Sequence, residues 1–136
     1  MAFREIRAEE LSFNPFDKIG KEWMLITAGD EASHNTMTAS WGGLGIMWGK
    51  KVATVYVRPQ RYTKEFVDQN ERFTISFYKE EYRKALSICG SKSGRDCDKE
   101  KEAGLTPYYV DGTTAFEEAD LVFVCKKQYH QELKGE

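Results

Sequence analysis

Short runs of strand-forming residues, each closed by glycine, proline or a charged cluster, recur along the whole 136-residue chain. This spacing constrains the fold more than any other feature, because it leaves few stretches long enough for a helix and favours antiparallel β structure. Residues 51–57 are the clearest strand: Val52, Thr54, Val55 and Val57 are β-branched, and Pro59 ends the run. Residues 22–28, apolar over Trp23-Met24-Leu25-Ile26, and residues 72–78, alternating about Phe73, Ile75 and Phe77, read as two more. Residues 3–6 predict a short first strand, and residues 108–110, 114–116 and 121–125 predict three closing ones. Gly29-Asp30-Glu31 supplies a turn.

The helices are few and short. Asn14 can cap a single turn that has Pro15 at its first position and Gly20 at its end. Residues 63–70 predict a helix with Phe66 and Val67 inward, residues 80–89 an amphipathic helix stopped by Gly90, and residues 98–103 a charged helical turn. Trp23 and Trp48 are expected in the core. Many short strands with few helices predict a mainly β barrel or sandwich rather than a doubly wound sheet. Gly42-Gly43-Leu44-Gly45 lacks both the spacing and the following helix of a dinucleotide fingerprint.

Composition narrows the function. At 40% hydrophobic the chain can build a core, and its length suits one domain over residues 1–136. A net charge of -2 argues against nucleic acid and acidic membranes as partners. No apolar run approaches a membrane span, and Met1-Ala2-Phe3-Arg4-Glu5-Ile6 has no basic-then-apolar signal pattern. Cys89, Cys97 and Cys125 form no C-x-x-C pair and, with two histidines, no metal-ligand spacing. They read as reduced thiols of a cytoplasmic protein.

Three segments carry chemistry. In Val57-Arg58-Pro59-Gln60-Arg61-Tyr62-Thr63 a strand ends, two arginines follow, and a helix begins with Thr63 as its expected cap. Free N–H groups at a helix start and two forked guanidinium groups suit an anion such as phosphate. An ordinary capped helix with two solvated arginines would have the same sequence. Ser91-Lys92-Ser93-Gly94-Arg95-Asp96 can close over an anion or be a polar surface turn. In Asn35-Thr36-Met37-Thr38-Ala39-Ser40-Trp41 the hydroxyls of Thr36, Thr38 and Ser40 share one face of an extended chain. This row could line a pocket for a planar, hydrogen-bonding ligand or belong to a half-exposed strand. The glycines that follow mark a bulge or a close backbone approach. His130 offers a proton donor or a plain surface imidazole.

Asn35-Thr36-Met37-Thr38-Ala39-Ser40-Trp41-Gly42, Tyr56-Val57-Arg58-Pro59-Gln60-Arg61-Tyr62-Thr63 and Ser93-Gly94-Arg95-Asp96, in this order, resemble the flavin-reductase-like family, and within it the flavoredoxin branch. The resemblance covers residues 16–130. It implies an FMN-binding split β-barrel of Greek-key character, normally a homodimer with non-covalent FMN near the subunit interface. Residues 35–41 would line the flavin ring and ribityl chain; Arg58, Arg61 and Thr63 would sit near the phosphate, with Tyr62 counted among the cofactor-binding residues; Lys92, Ser93 and Arg95 would close the site. His130, as the expected catalytic group, is placed near the reacting edge apart from the resemblance. Members usually continue into a further strand that residues 131–136 do not supply, so the family's C-terminal segment is expected to be missing and the pocket less covered.

The resemblance implies an oxidoreductase that passes electrons from NAD(P)H to flavin, with positioning residues rather than a nucleophile. Its alternative is an electron carrier reduced by a protein partner without nicotinamide. A non-catalytic FMN-binding or oligonucleotide-binding barrel is the third reading, and the acidic charge weighs against the oligonucleotide.

Overall fold

The computed structural model describes residues 3–132, and eight strands with four short α-helices account for most of them. Strands β1 (Met24–Gly29), β2 (His34–Ala39), β5 (Arg72–Phe77) and β8 (Leu121–Lys126) form an antiparallel sheet in the order β2-β1-β5-β8. Strands β3 (Gly42–Met47) and β4 (Lys50–Val55) form one hairpin, β6 (Pro107–Val110) and β7 (Thr113–Phe116) another. Helices α1 (Pro15–Gly20), α2 (Thr63–Gln69), α3 (Arg83–Ser91) and α4 (Lys99–Ala103) fill the connections. The mainly β reading with a few short helices is therefore correct.

β1 is buried along its whole length because both its faces are covered. Met24, Ile26 and Ala28 join Met37, Phe73, Ile75 and Phe77 on one face, with Val55, Val57, Phe66 and Val67 packed over them. Leu25 points the other way, into a second cluster with Leu86, Cys89, Leu105 and Phe116. A strand covered on both faces needs an unbroken apolar run, which is what the sequence shows here. Full burial of Leu25 or Ile26 contributes about 1.5–3 kcal/mol each. Hydroxyls cross between elements: Thr27 Oγ1 and Thr36 Oγ1 are 2.8 Å apart, and Thr114 donates to the Gly29 carbonyl at 2.9 Å.

Four local expectations need correction. Residues 3–6 form no strand; Phe3 instead stacks on Tyr108, with centroids 4.8 Å apart, and a 3-10 turn follows at Ala8–Glu10. Trp48 is no core residue. It is 80% exposed in the β3–β4 turn, where Trp48 and Gly49 both take the positive φ that a tight hairpin requires. Gly90 does not stop α3, which runs on to Ser91. Gly90 allows a close approach: a Cβ there would meet Thr38 Cβ at 3.1 Å. The cap of α2 is also misread, as the site shows. By contrast Asn14 caps α1 as expected, accepting from the Phe16 N–H at 2.9 Å. Among the described residues no helix is long and apolar enough to cross a membrane.

Candidate functional site

An open cleft of about 390 Å³ lies where β2, the β4–α2 connection and α3 meet. Its walls come from Trp23, from Met37 to Trp41, from Tyr56, Arg58 and Arg61, and from Leu86, Ser87, Gly90 and Ser91. The close packing of α3 on β2 sets the cleft's width. Gly90 lets the helix lie against Thr38, and the Thr38 hydroxyl donates to the Leu86 carbonyl.

Positive charge gathers at one end. Arg61 donates from Nη1 to the Gly90 carbonyl at 3.3 Å and from Nη2 to the Cys89 carbonyl at 3.5 Å. Lys99, the first residue of α4, is only 4% exposed and donates to the same Cys89 carbonyl at 3.0 Å. Two cations at the carbonyl end of α3 suit the helix dipole. Burial pulls the Lys99 ammonium down to about 8, and burial followed by the neighbouring Arg58 charge lowers Arg61. Arg58 lies over the Trp41 ring, 4.7 Å from its centroid. None of the three is ion-paired to a carboxylate among the described residues. Two unpaired cations in the cleft wall, with Lys99 buried close to Arg61, create a field that favours an anion.

The expected site residues divide. Met37, Thr38, Ala39, Ser40, Trp41, Arg58 and Arg61 border the cleft. Asn35 and Thr36 turn into the fold: Asn35 Nδ2 donates to Thr63 Oγ1 at 2.8 Å, and Thr36 pairs with Thr27. Thr63 is not the cap of α2. Tyr62 holds that position with helical dihedrals and no side-chain cap, while Thr63 is buried as the first helical residue. The Lys64 and Glu65 N–H groups bond back to the Arg61 and Tyr62 carbonyls at 3.1 Å. Attraction for an anion therefore rests on the guanidinium groups rather than on an open helix start.

The loop after α3 braces the site from behind. Lys92 pairs with Glu102 at 2.5 Å, and the Ser93 hydroxyl accepts from the Arg95 N–H at 3.1 Å. Arg95 lies 4.6 Å from the Tyr62 ring centroid and pairs with Glu65. Gly94 presses on Asn35 so closely that a Cβ there would fall 2.0 Å from Asn35 Oδ1. His130 is exposed and borders a different depression with Lys64, Asp68 and Lys127.

Sequence reasoning missed Lys99 and Ser87, and it placed Trp23 in the core, where Trp23 packs half-buried against the second cluster while also bordering the cleft. One signal for Lys99 was available: a lysine at a helix start opposes the macrodipole, so it is better placed if its ammonium serves another element. The cleft also holds polar groups that the fold leaves unused. Among the described residues the hydroxyls of Ser40, Tyr56 and Ser87 and the indole N–H groups of Trp23 and Trp41 make no hydrogen bond. Cations at one end, flat apolar walls and free donors suit a planar ligand carrying an anionic group.

The sequence matches the flavin reductase like domain over residues 16–135. No curated protein sequence matches the chain. The fold is similar to the FMN-binding domain of a flavin reductase-like enzyme from Shewanella baltica, with a TM-score of 0.70 at 20% identity. That match covers 82% of this chain and 60% of the Shewanella chain. Flavoredoxin of Desulfovibrio vulgaris gives 0.75 at 23% identity, covering 96% of this chain and 69% of its own. Component B of nitrilotriacetate monooxygenase from Bacillus cereus gives 0.70 at 15%, covering 100% and 73%. The chain thus spans about 60% of the length of the first of these proteins, and at such identities the likeness is one of fold.

Proposed function

The chain belongs to the flavin reductase-like domain family, and from that premise we propose that it is a cytoplasmic oxidoreductase that binds FMN in the cleft and takes electrons from NAD(P)H. The observation that carries this reading is the convergence of Arg58, Arg61 and Lys99, unpaired with carboxylates, beside a cleft walled by Trp23 and Trp41. FMN fits these residues by kind. Its phosphate suits the two guanidinium groups, its hydroxylated chain the free Ser40, Ser87 and Tyr56 hydroxyls, and its ring the aromatic walls. Bound there, FMN would supply acceptance of two electrons from a reduced nicotinamide and their passage to an acceptor.

The chain's own work is binding and orientation. Arg58 and Arg61 would hold the phosphate by charge-assisted hydrogen bonds. Lys99 secures the carbonyl end of α3, and so the position of Arg61, and adds charge behind it. Asn35 and Thr63, locked to each other and pressed by Gly94, keep β2 and the start of α2 in register as the cleft's frame. Lys92, Ser93 and Arg95 act through that frame. His130, outside the cleft, has no part in this reading.

Homodimerisation belongs to the same proposal. The β3–β4 hairpin, which follows Trp41 in the chain, exposes Ile46 and Trp48 at 71% and 80%, with Leu44 less exposed, apolar surface that a second copy would cover. A flavoredoxin-like carrier, reduced by a protein partner, is the second reading. The likeness to flavoredoxin at a TM-score of 0.75 favours it, as does the missing dinucleotide fingerprint. Anaerobic mixing of the FMN-loaded protein with NADH or NADPH tests the choice. Rapid bleaching of the flavin absorbance supports the reductase; bound flavin that stays yellow until a reduced protein partner is added supports the carrier.

A further inference from the structure

We propose that Trp23, braced by Arg83, is the ring-stacking wall of the cleft, an inference that rests on the FMN reading above and deepens it. Trp23 has φ of 71°, a left-handed conformation that is strained for a bulky residue and persists only where its surroundings impose it. Arg83, the first residue of α3, imposes it. Its Nη1 donates to the Lys21 carbonyl at 2.8 Å and to the Glu22 carbonyl at 3.0 Å, the two residues that lead into Trp23. The same guanidinium lies 3.2 Å over the indole centroid.

Arg83 covers one side of the indole and does not itself border the cleft, whereas Trp23, half-buried against the second core cluster, does. The indole N–H has no partner among the described residues and remains available as a donor. Packing alone would not call for a strained backbone, a stacked cation and a place in the cleft lining on the same side chain.

α3 fixes where this wall stands. Arg61 is bonded to the Gly90 carbonyl, two helical turns beyond Arg83, which separates the anion end from the indole by about 10 Å along the helix axis. A ligand with a phosphate at one end, a flexible hydroxylated linker and a flat aromatic ring at the other spans such a gap. The ring is therefore assigned to Trp23 and the phosphate to Arg58 and Arg61, with Ser87 between them on the helix.

Three binding measurements test this. Wild type is titrated with FMN and with ribose 5-phosphate; Trp23→Leu is expected to lose about tenfold in FMN affinity and to keep its affinity for ribose 5-phosphate, while Trp23→Phe keeps both. An equal loss for the two ligands, or no loss for either in a protein that melts like wild type, overturns the inference. The third measurement needs only conservative substitutions. Bound FMN should be dark in Trp41→Phe, where an indole still contacts the ring, and should regain emission in Trp41→Phe/Trp23→Phe; no gain overturns the inference. Wild type that binds no FMN at all rejects the FMN reading itself.

Discussion

Arg61 couples the fold to the chemistry, since one guanidinium both closes the end of α3 and faces the cleft. Hydrogen bonds to charged groups contribute about 1.5–3 kcal/mol, so Arg61→Met should weaken FMN binding about 10- to 100-fold. Riboflavin, which lacks the phosphate, should lose far less; parallel titrations by flavin fluorescence check this. His34 gives a second prediction. Its Nε2 lies 2.8 and 2.9 Å from the Glu100 carboxylate oxygens and its Nδ1 lies 2.9 Å from the Asp30 carbonyl, so both ring nitrogens face acceptors. The hydrogen bond to Glu100 raises the His34 pKa above its ordinary 6.5, with Asp98 adding to it and burial opposing, while Tyr109 meets the ring edge-on. A raised folded-state value means the stabilisation is full below 6.5 and is lost as pH climbs through the folded value. Thermal melting points should fall over that window in wild type and stay flatter in His34→Gln. Arg58 and Arg61 were legible in the sequence because two guanidinium groups at a strand-to-helix junction suggest anion binding by themselves. Lys99 was less so: its place at a helix start was one signal, but its burial depends on α4 folding back against α3, which local sequence does not show.

Strands were the most legible elements. β4 showed itself by its β-branched residues and β5 by its alternation about Phe73, Ile75 and Phe77, and β1 announces burial on both faces by its unbroken apolar run. Caps and stops were read less well, because glycine and threonine have more than one use. Gly90 and Gly94 answer to close approach rather than to turning, and Thr63 is needed as an acceptor for Asn35 rather than as a cap. Gly94→Ala makes that point testable. The added methyl meets a buried amide that is already bonded to Thr63, so relief requires breaking the Asn35–Thr63 pair or shifting the loop. Overpacking of this kind costs about 1–3 kcal/mol. Chemical denaturation should show that loss, and FMN affinity should fall with it although Gly94 does not line the cleft.

At the scale of the molecule, the cleft is open and the hairpin that follows Trp41 of its wall exposes apolar side chains, so the dimer proposed above would link assembly to binding. Ile46→Ser/Trp48→Ser should shift the protein from dimer to monomer by light scattering and weaken FMN binding, without lowering the melting temperature of the monomer. The family's fold was legible because three ordered motifs sit on the cleft and its braces; the hairpin proposed as a dimer surface carried no motif, only exposed side chains. The central claim is that the Arg58–Arg61 cleft holds FMN. Titration of the flavin-free protein with FMN, followed by visible absorbance, tests it most directly when wild type and Arg58→Met/Arg61→Met are compared. The account predicts saturable binding of one FMN per chain with a perturbed flavin spectrum in wild type, and a loss of at least 100-fold in the double variant. An unchanged spectrum in wild type, or equal affinity in the two proteins, would contradict it.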